Sequence, residues 1–295
     1  MDDSIILEVK NLKQHFKINK HITVKAVDGI SFTVKKGEIF GLVGESGSGK
    51  STVAKSIMGL YNITDGEVYY KGQRISNRSV YAKNKKVIQK NMQIIFQDSS
   101  AALNPRMTVE KIIAEPIRVN NIINDKEDLN KKICELLNQV GLDESFKHKY
   151  PSEISGGQRQ RVAIARSIGV NPDIIIADEP IASLDISIQA QIVTLFQKLQ
   201  KEYGFTFIFI AHDLSIIRFI SDKVGVMIQG KMVELAPTSE LFNNPLHPYT
   251  KSLLSAVPVP DPFYERNKII LDFDINTLAT NGFFEEVMQG HFVYK

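Results

Sequence analysis

Residues 44–52 read GESGSGKST and follow the apolar run EIFGLV. The spacing G-x-x-x-x-G-K-S is that of a phosphate-binding loop, in which successive backbone N–H groups wrap around phosphate oxygens. Glycine suits such a loop because a side chain would block the backbone's close approach and the turns that need positive φ. A lysine there reaches the β- and γ-phosphates, and the hydroxyl after it can ligate magnesium. The alternative is a flexible, solvated Gly/Ser loop. Context favours the phosphate site, because STVAKSIMGL reads as a helix starting at the loop, giving the order strand, loop, helix. Gly44, Glu45, Ser46, Gly47, Ser48, Gly49, Lys50, Ser51 and Thr52 are therefore the candidate nucleotide-binding residues.

Working outward, MQIIFQ, IIIADEP and FTFIFIAHD are continuous apolar runs, as expected of strands buried on both faces of a mainly parallel sheet. ILEVKNLKQHF (6–16) and AVDGISFTVKKGEIF (26–40) alternate apolar and polar residues, the pattern of antiparallel strands with one wet face. In SIQAQIVTLFQKLQKEY, Ile188, Ile192, Leu195, Phe196 and Leu199 form a helical apolar stripe. The expected fold is α/β: a P-loop NTPase core with a mainly parallel sheet, an antiparallel β subdomain and an inserted helical subdomain. Residues 1–97 and 171–240 make the core, 98–170 the helical subdomain and 241–295 a C-terminal extension. Within the extension, VPVPDP reads as a stiff linker, and 263–295 carries apolar residues without an interpretable motif.

Composition narrows the function classes. The chain has 295 residues, 43% hydrophobic, with a net charge of +3, too mild a basicity to make nucleic acid the main partner. The densest basic run, KNKKVIQK, lacks interleaved aromatics and reads as a solvated face. A single cysteine, Cys134, allows no internal disulfide and no cysteine-based metal cluster. The acidic start lacks a signal-peptide core, and no apolar run approaches the roughly 20 residues of a membrane span. A protein soluble by itself is expected, with any membrane role exercised through a partner.

A phosphate-loop enzyme also needs an acid to position metal, usually at the end of a buried strand. Asp178 in IIIADEP holds that place, and Glu179 beside it is a candidate general base. A second glycine-rich stretch, ISGGQRQRVAIARSI (154–168), offers another anion site at a helix start. Two such sites with one set of acids suggest that the second faces a nucleotide held by another subunit.

These motifs, in this combination and order, resemble the nucleotide-binding subunits of ATP-binding-cassette (ABC) transporters over roughly residues 6–240. The family's usual signature is LSGGQ; Ile154 replaces its leucine here. The resemblance implies ATP and Mg²⁺ as ligands and a head-to-tail dimer in which Ser155, Gly156, Gly157 and Gln158 contact the partner's ATP. It also implies that Gln97 is the Q-loop glutamine, a metal-sensing residue along with the magnesium-holding Ser51 and Asp178. Asp185 matches the D-loop, His212 the switch histidine touching the γ-phosphate, and Phe16 the aromatic that stacks on adenine. NPLHPYTKSLLSAVPVPDP and FQDSSAALNPRMTV are similar to segments of oligopeptide, dipeptide and nickel importer ATPases. The implied partners are a homologous ATPase subunit, two membrane permeases and an external solute-binding protein, at the cytoplasmic face of the membrane. The alternatives are a nickel or metal-chelate importer of the same subgroup, a soluble ABC ATPase, or a weakly active regulatory binder. No N-K-x-D motif supports a GTPase.

Overall fold

The computed structural model describes residues 4–76, 78–98, 102–258, 262–278 and 282–295. The centre of the proline-rich stretch read as a linker, 259–261, and residues 99–101 of the FQDSSAALNPRMTV segment lie outside these.

Strands β1 (Ile5–Lys17), β2 (Thr23–Lys35) and β3 (Ile39–Val43) lead through the glycine loop into helix α1 (Lys50–Ile57). Strands β4 (Asp65–Tyr70) and β5 (Gln73–Arg74) precede helix α2 (Arg78–Asn91) and strand β6 (Met92–Ile95). The lysines at 83, 85, 86 and 90 are exposed on α2. From 109 to 168 the structure is helical: α3 (Val109–Val119), α4 (Lys126–Gln139), two 3-10 turns, and α5 (Gly156–Ile168). Then come β7 (Ile174–Asp178), α6 (Ile186–Tyr203), β8 (Thr206–Ala211), α7 (Leu214–Ile220), β9 (Lys223–Ile228) and β10 (Lys231–Pro237). Helices α8 (Thr238–Asn243), α9 (Pro248–Ala256) and α10 (Pro262–Asn267) precede a terminal hairpin of β11 (Phe284–Met288) and β12 (His291–Tyr294).

The described strands form two sheets, a small antiparallel one ordered β2-β1-β4-β5 and a large one ordered β11-β12-β10-β9-β3-β8-β7-β6. In the large sheet β9, β3, β8, β7 and β6 run parallel, and β10, β12 and β11 continue it antiparallel. The sheet therefore does not stop at residue 240: the C-terminal hairpin supplies its edge.

The continuous apolar runs follow from the period-2 pleat. Ile39, Val43, Ile175, Ala177, Phe207 and Phe209 join the core shared with the helices. Their alternates Phe40, Leu42, Ile174, Ile176, Ile208 and Ile210 join the core beneath the antiparallel sheet, where Phe32 stacks on Phe40 at 4.6 Å between ring centroids. With both faces buried, no position on these strands is left to be polar until the strand ends. Gly44 after β3, Asp178 at the end of β7, Gln97 just beyond β6 and His212 after β8 all lie at the carboxyl edge of the parallel strands, where open α/β sheets place ligand sites.

Candidate nucleotide site

Sheet register brings the pieces together. Val43 pairs with Ala211 and Asp178 with Ile210, so the loop after β3, the acids after β7 and His212 after β8 abut. The loop's glycines are there for different reasons. Gly47 takes φ +82° in open space, whereas at Gly49 a Cβ would stand 2.1 Å from the Ala26 carbonyl oxygen. Gly49 is also the residue before α1, so the helix's first-turn N–H groups point into the loop.

Lys50 is buried within the loop, its Nζ donating to Gly44 O at 2.7 Å, Glu45 O at 2.8 Å and Ser48 Oγ at 3.3 Å. Burial pulls its pKa below the ordinary lysine value, against the opposing pull of Glu179, Asp178 and Glu45. Ser51 Oγ donates to Asp178 Oδ1 at 2.8 Å. Burial pushes the Asp178 carboxyl up, partly countered by that hydrogen bond and by Lys55 and Lys50. The next residue, Glu179, has a left-handed backbone at φ +48°, its N–H donating to Ile210 O at 3.0 Å. Non-glycine residues held there cost energy and cluster at functional sites. Its Oε2 receives Gln97 Nε2 at 3.0 Å and stands 3.5 Å from His212 Nδ1. Three candidate residues from three strand ends thus meet on one carboxylate oxygen.

A cleft of about 950 Å³ opens over this floor, lined by Ser46, Gly47, Gly49, Lys50, Ser51, Thr52, Gln97 and Glu179. Asp178 reaches it through Ser51 and His212 through Glu179. Glu45 and Ser48 face a neighbouring hollow, and Gly44 lies behind, where a Cβ would meet Met227 O at 2.1 Å. Phe16 does not line the cleft. Its ring stands edge-on to Tyr61, 5.2 Å between centroids, and its ladder partner Val24 forms the wall instead. The cleft ends one strand short of the aromatic.

Ser155, Gly156, Gly157 and Gln158 are not among the residues lining the cleft. They form a capping box at the start of α5: Gln158 N donates to Ser155 Oγ and Ser155 N to Gln158 Oε1. Asp185 caps α6 in position only, its side chain making no capping bond. The two motifs adjoin, since Leu184 lies 3.5 Å from where a Gly156 Cβ would be and Ile188 2.6 Å from that of Gly157.

Several cleft residues carry no motif. Lys25, Ala26 and Asp28 come from β2, Gln229 and Gly230 from the β9–β10 turn, Lys231 from the start of β10, and Ile275, Asn276 and Leu278 from the C-terminal extension. Only long-range contact defines them, so no local pattern could have found them.

A family model described as ABC transporter matches residues 27–182, and one described as oligopeptide/dipeptide transporter, C-terminal region, matches 233–272. The chain is 54% identical to the oligopeptide transport ATP-binding protein OppF of Bacillus subtilis (strain 168), over 98% of this chain and 95% of that one. With AmiF of Streptococcus pneumoniae serotype 4, also named an oligopeptide transport ATP-binding protein, identity is 44% over 98% and 94%. Among solved structures, the ATP-binding cassette MJ0796, a dimer bound to ADP and phosphate, superposes with a TM-score of 0.71 at 30% identity, covering 79% of this chain and 99% of that one. CbiO1 of Clostridium perfringens gives 0.70 at 28% identity, covering 82% and 92%. The chain belongs to the ABC transporter family: it is an ATP-binding-cassette ATPase. Within that family it carries the C-terminal region of the oligopeptide and dipeptide transporters.

Proposed function

We propose that this chain is the ATP-hydrolysing subunit of an oligopeptide importer, working as one half of a head-to-tail pair of ATPase subunits. The observation that carries this reading is the separation of its two anion-binding helix starts. Lys50, Ser51 and Glu179 share one cleft, while Ser155, Gly156, Gly157 and Gln158 stand outside it beside the D-loop. Ile186, an apolar side chain next to Asp185, is 85% exposed, which suits a surface covered by a second subunit.

In this reading Lys50 exchanges its loop carbonyls for phosphate oxygens, and the loop amides complete the cradle. The hard oxygen donors Ser51 Oγ and the Asp178 carboxylate suit Mg²⁺; bound there, the ion would offset phosphate charge. Glu179 orients and polarises the attacking water, Gln97 and His212 fix its carboxylate, and His212 reaches the γ-phosphate. The partner's signature residues close the site from the far side. The relatives' names support oligopeptides as the cargo, and hence two membrane permeases and an external solute-binding protein as further partners.

No helix among the described residues is long and apolar enough to cross a membrane, so attachment at the cytoplasmic face would be peripheral. Exposed Phe96 beside Gln97, with Val119 and Ile122 at the end of α3, offers apolar docking points for permease helices. The partner ATPase would be a different chain of the same family. The division into a core (1–97, 171–240), a helical signature subdomain (98–170) and an extension (241–295) belongs to the same proposal.

The test is Glu179→Gln in the assembled complex. ATP binding should persist and the pair should accumulate closed, while turnover falls by about 10²-fold or more, the scale of a lost general base. Unchanged turnover would refute the assignment.

A further inference from the structure

We propose that Tyr249 is a positioning residue of the nucleotide site, holding the peptide unit between Gly44 and Glu45 in the orientation that receives phosphate. The inference rests on residues 44–52 being that site. Glu45 N donates to Tyr249 Oη at 3.2 Å, and the carbonyl of the same peptide unit, Gly44 O, accepts from Lys50 Nζ at 2.7 Å. One peptide plane is therefore gripped at both ends, by a phenol at its N–H and an ammonium at its C=O. When Lys50 turns to phosphate, its grip is released and Tyr249 alone keeps the plane from rotating. Gly44 packs too closely on β9 for the loop to retreat, a Cβ there standing 2.1 Å from Met227 O.

Tyr249 is itself held fast. It is 2% exposed, and its ring meets Phe273 at 5.4 Å between centroids. Its own N–H donates to Nδ1 of His247, the residue capping α9. The backbone leading into that cap is fixed by Glu234 of β10, whose carboxylate receives Leu246 N at 2.8 Å and His247 N at 3.0 Å. The same carboxylate also receives His291 Nε2, at 2.8 Å on the oxygen that takes Leu246 N. Burial pushes the phenol up to about 12, so it stays a neutral hydroxyl throughout the working pH range. The extension is thus hydrogen-bonded to the loop through the Tyr249 hydroxyl.

The experiment compares Tyr249→Phe with the unaltered full chain in the assembled transporter, because the substitution removes the hydroxyl and keeps the ring. The KM for ATP should rise about fivefold, the size of one net hydrogen bond, with kcat changed by less than about twofold. Amide exchange in the nucleotide-free chain should accelerate at Glu45 and not across the sheet, a readout that a merely structural role would not move. An unchanged KM, or faster exchange spread over the whole extension, overturns the proposal. Lys50→Ala runs in parallel. If it abolishes ATP binding while Tyr249→Phe leaves KM unmoved, only the role of Tyr249 fails; if it leaves binding intact, the site reading fails and takes this inference with it.

Discussion

Asp178 shows what the site costs the fold. Its carboxylate closes a strand whose every residue is buried, and burial disfavours its charge more than Ser51 and the nearby lysines favour it. A carboxyl raised in the folded state stabilises the fold fully only below its unfolded value, and that contribution is lost as pH rises through the folded value. Asp178→Asn should therefore raise the Tm of the nucleotide-free chain at pH 7 by roughly 2–4 °C, the shift that ~1 kcal/mol makes in a chain of this size. The gain should fade below about pH 4, where the unfolded carboxyl is protonated too. Calorimetry at the two pH values checks both. Glu179 carries a different local cost, a left-handed backbone with φ +48°, which turns its carboxylate toward Gln97 and His212. Asp178 and Glu179 are legible in the sequence because they end a recognisable buried strand, whereas Gln97 and His212 rest on the family resemblance. Phe16 was assigned by family resemblance alone, and its ring sits on Tyr61 outside the cleft wall.

Among elements, the start of α5 separates two uses of glycine that the sequence writes identically. A Cβ on Gly157 would come within 2.6 Å of Ile188 Cγ2, while one on Gly156 would meet only ordinary contacts, the nearest at 3.5 Å. Gly157 is thus needed by the packing of α5 on α6, and nothing among the described residues demands that Gly156 lack a side chain. Gly157→Ala should cost about 1–3 kcal/mol in urea melts, the usual penalty of overpacking. Gly156→Ala should leave stability within about 0.5 kcal/mol yet lower ATP turnover in the assembled pair. Equal loss of stability in both would remove the distinction. The apolar stripe of α6 was readable from its period, and Ile192, Leu195, Phe196 and Leu199 are buried as that period requires. Ile188 belonged to the same stripe, but its spacing could not reveal that it serves the signature helix.

For the molecule as a whole, the two cores on either side of the large sheet were foreseeable, since runs with no polar alternate must be buried on both faces. The C-terminal hairpin was not, because β11 and β12 carry exposed and mixed residues and join the sheet through the pairing of β12 with β10. A buried polar pair helps fasten β12: His291 and Glu234, both side chains fully buried, meet at 2.8 Å. His291→Ala would leave a hole and an unsatisfied carboxylate lone pair. It should destabilise the chain by about 2–4 kcal/mol in urea melts; a loss below about 1 kcal/mol would mean that the hairpin adds little to the sheet.

That fastening also sets an order of events at the ribosome. Glu234 enters the growing sheet before any of its partners Leu246, His247 and His291 exists, and His291 is translated 57 residues later. Until then β10 remains an open edge, the kind of surface on which nascent chains stick to one another. A message cut short before codon 291 would therefore yield a chain with every ATP-site motif in place and a sheet still inviting the wrong neighbour.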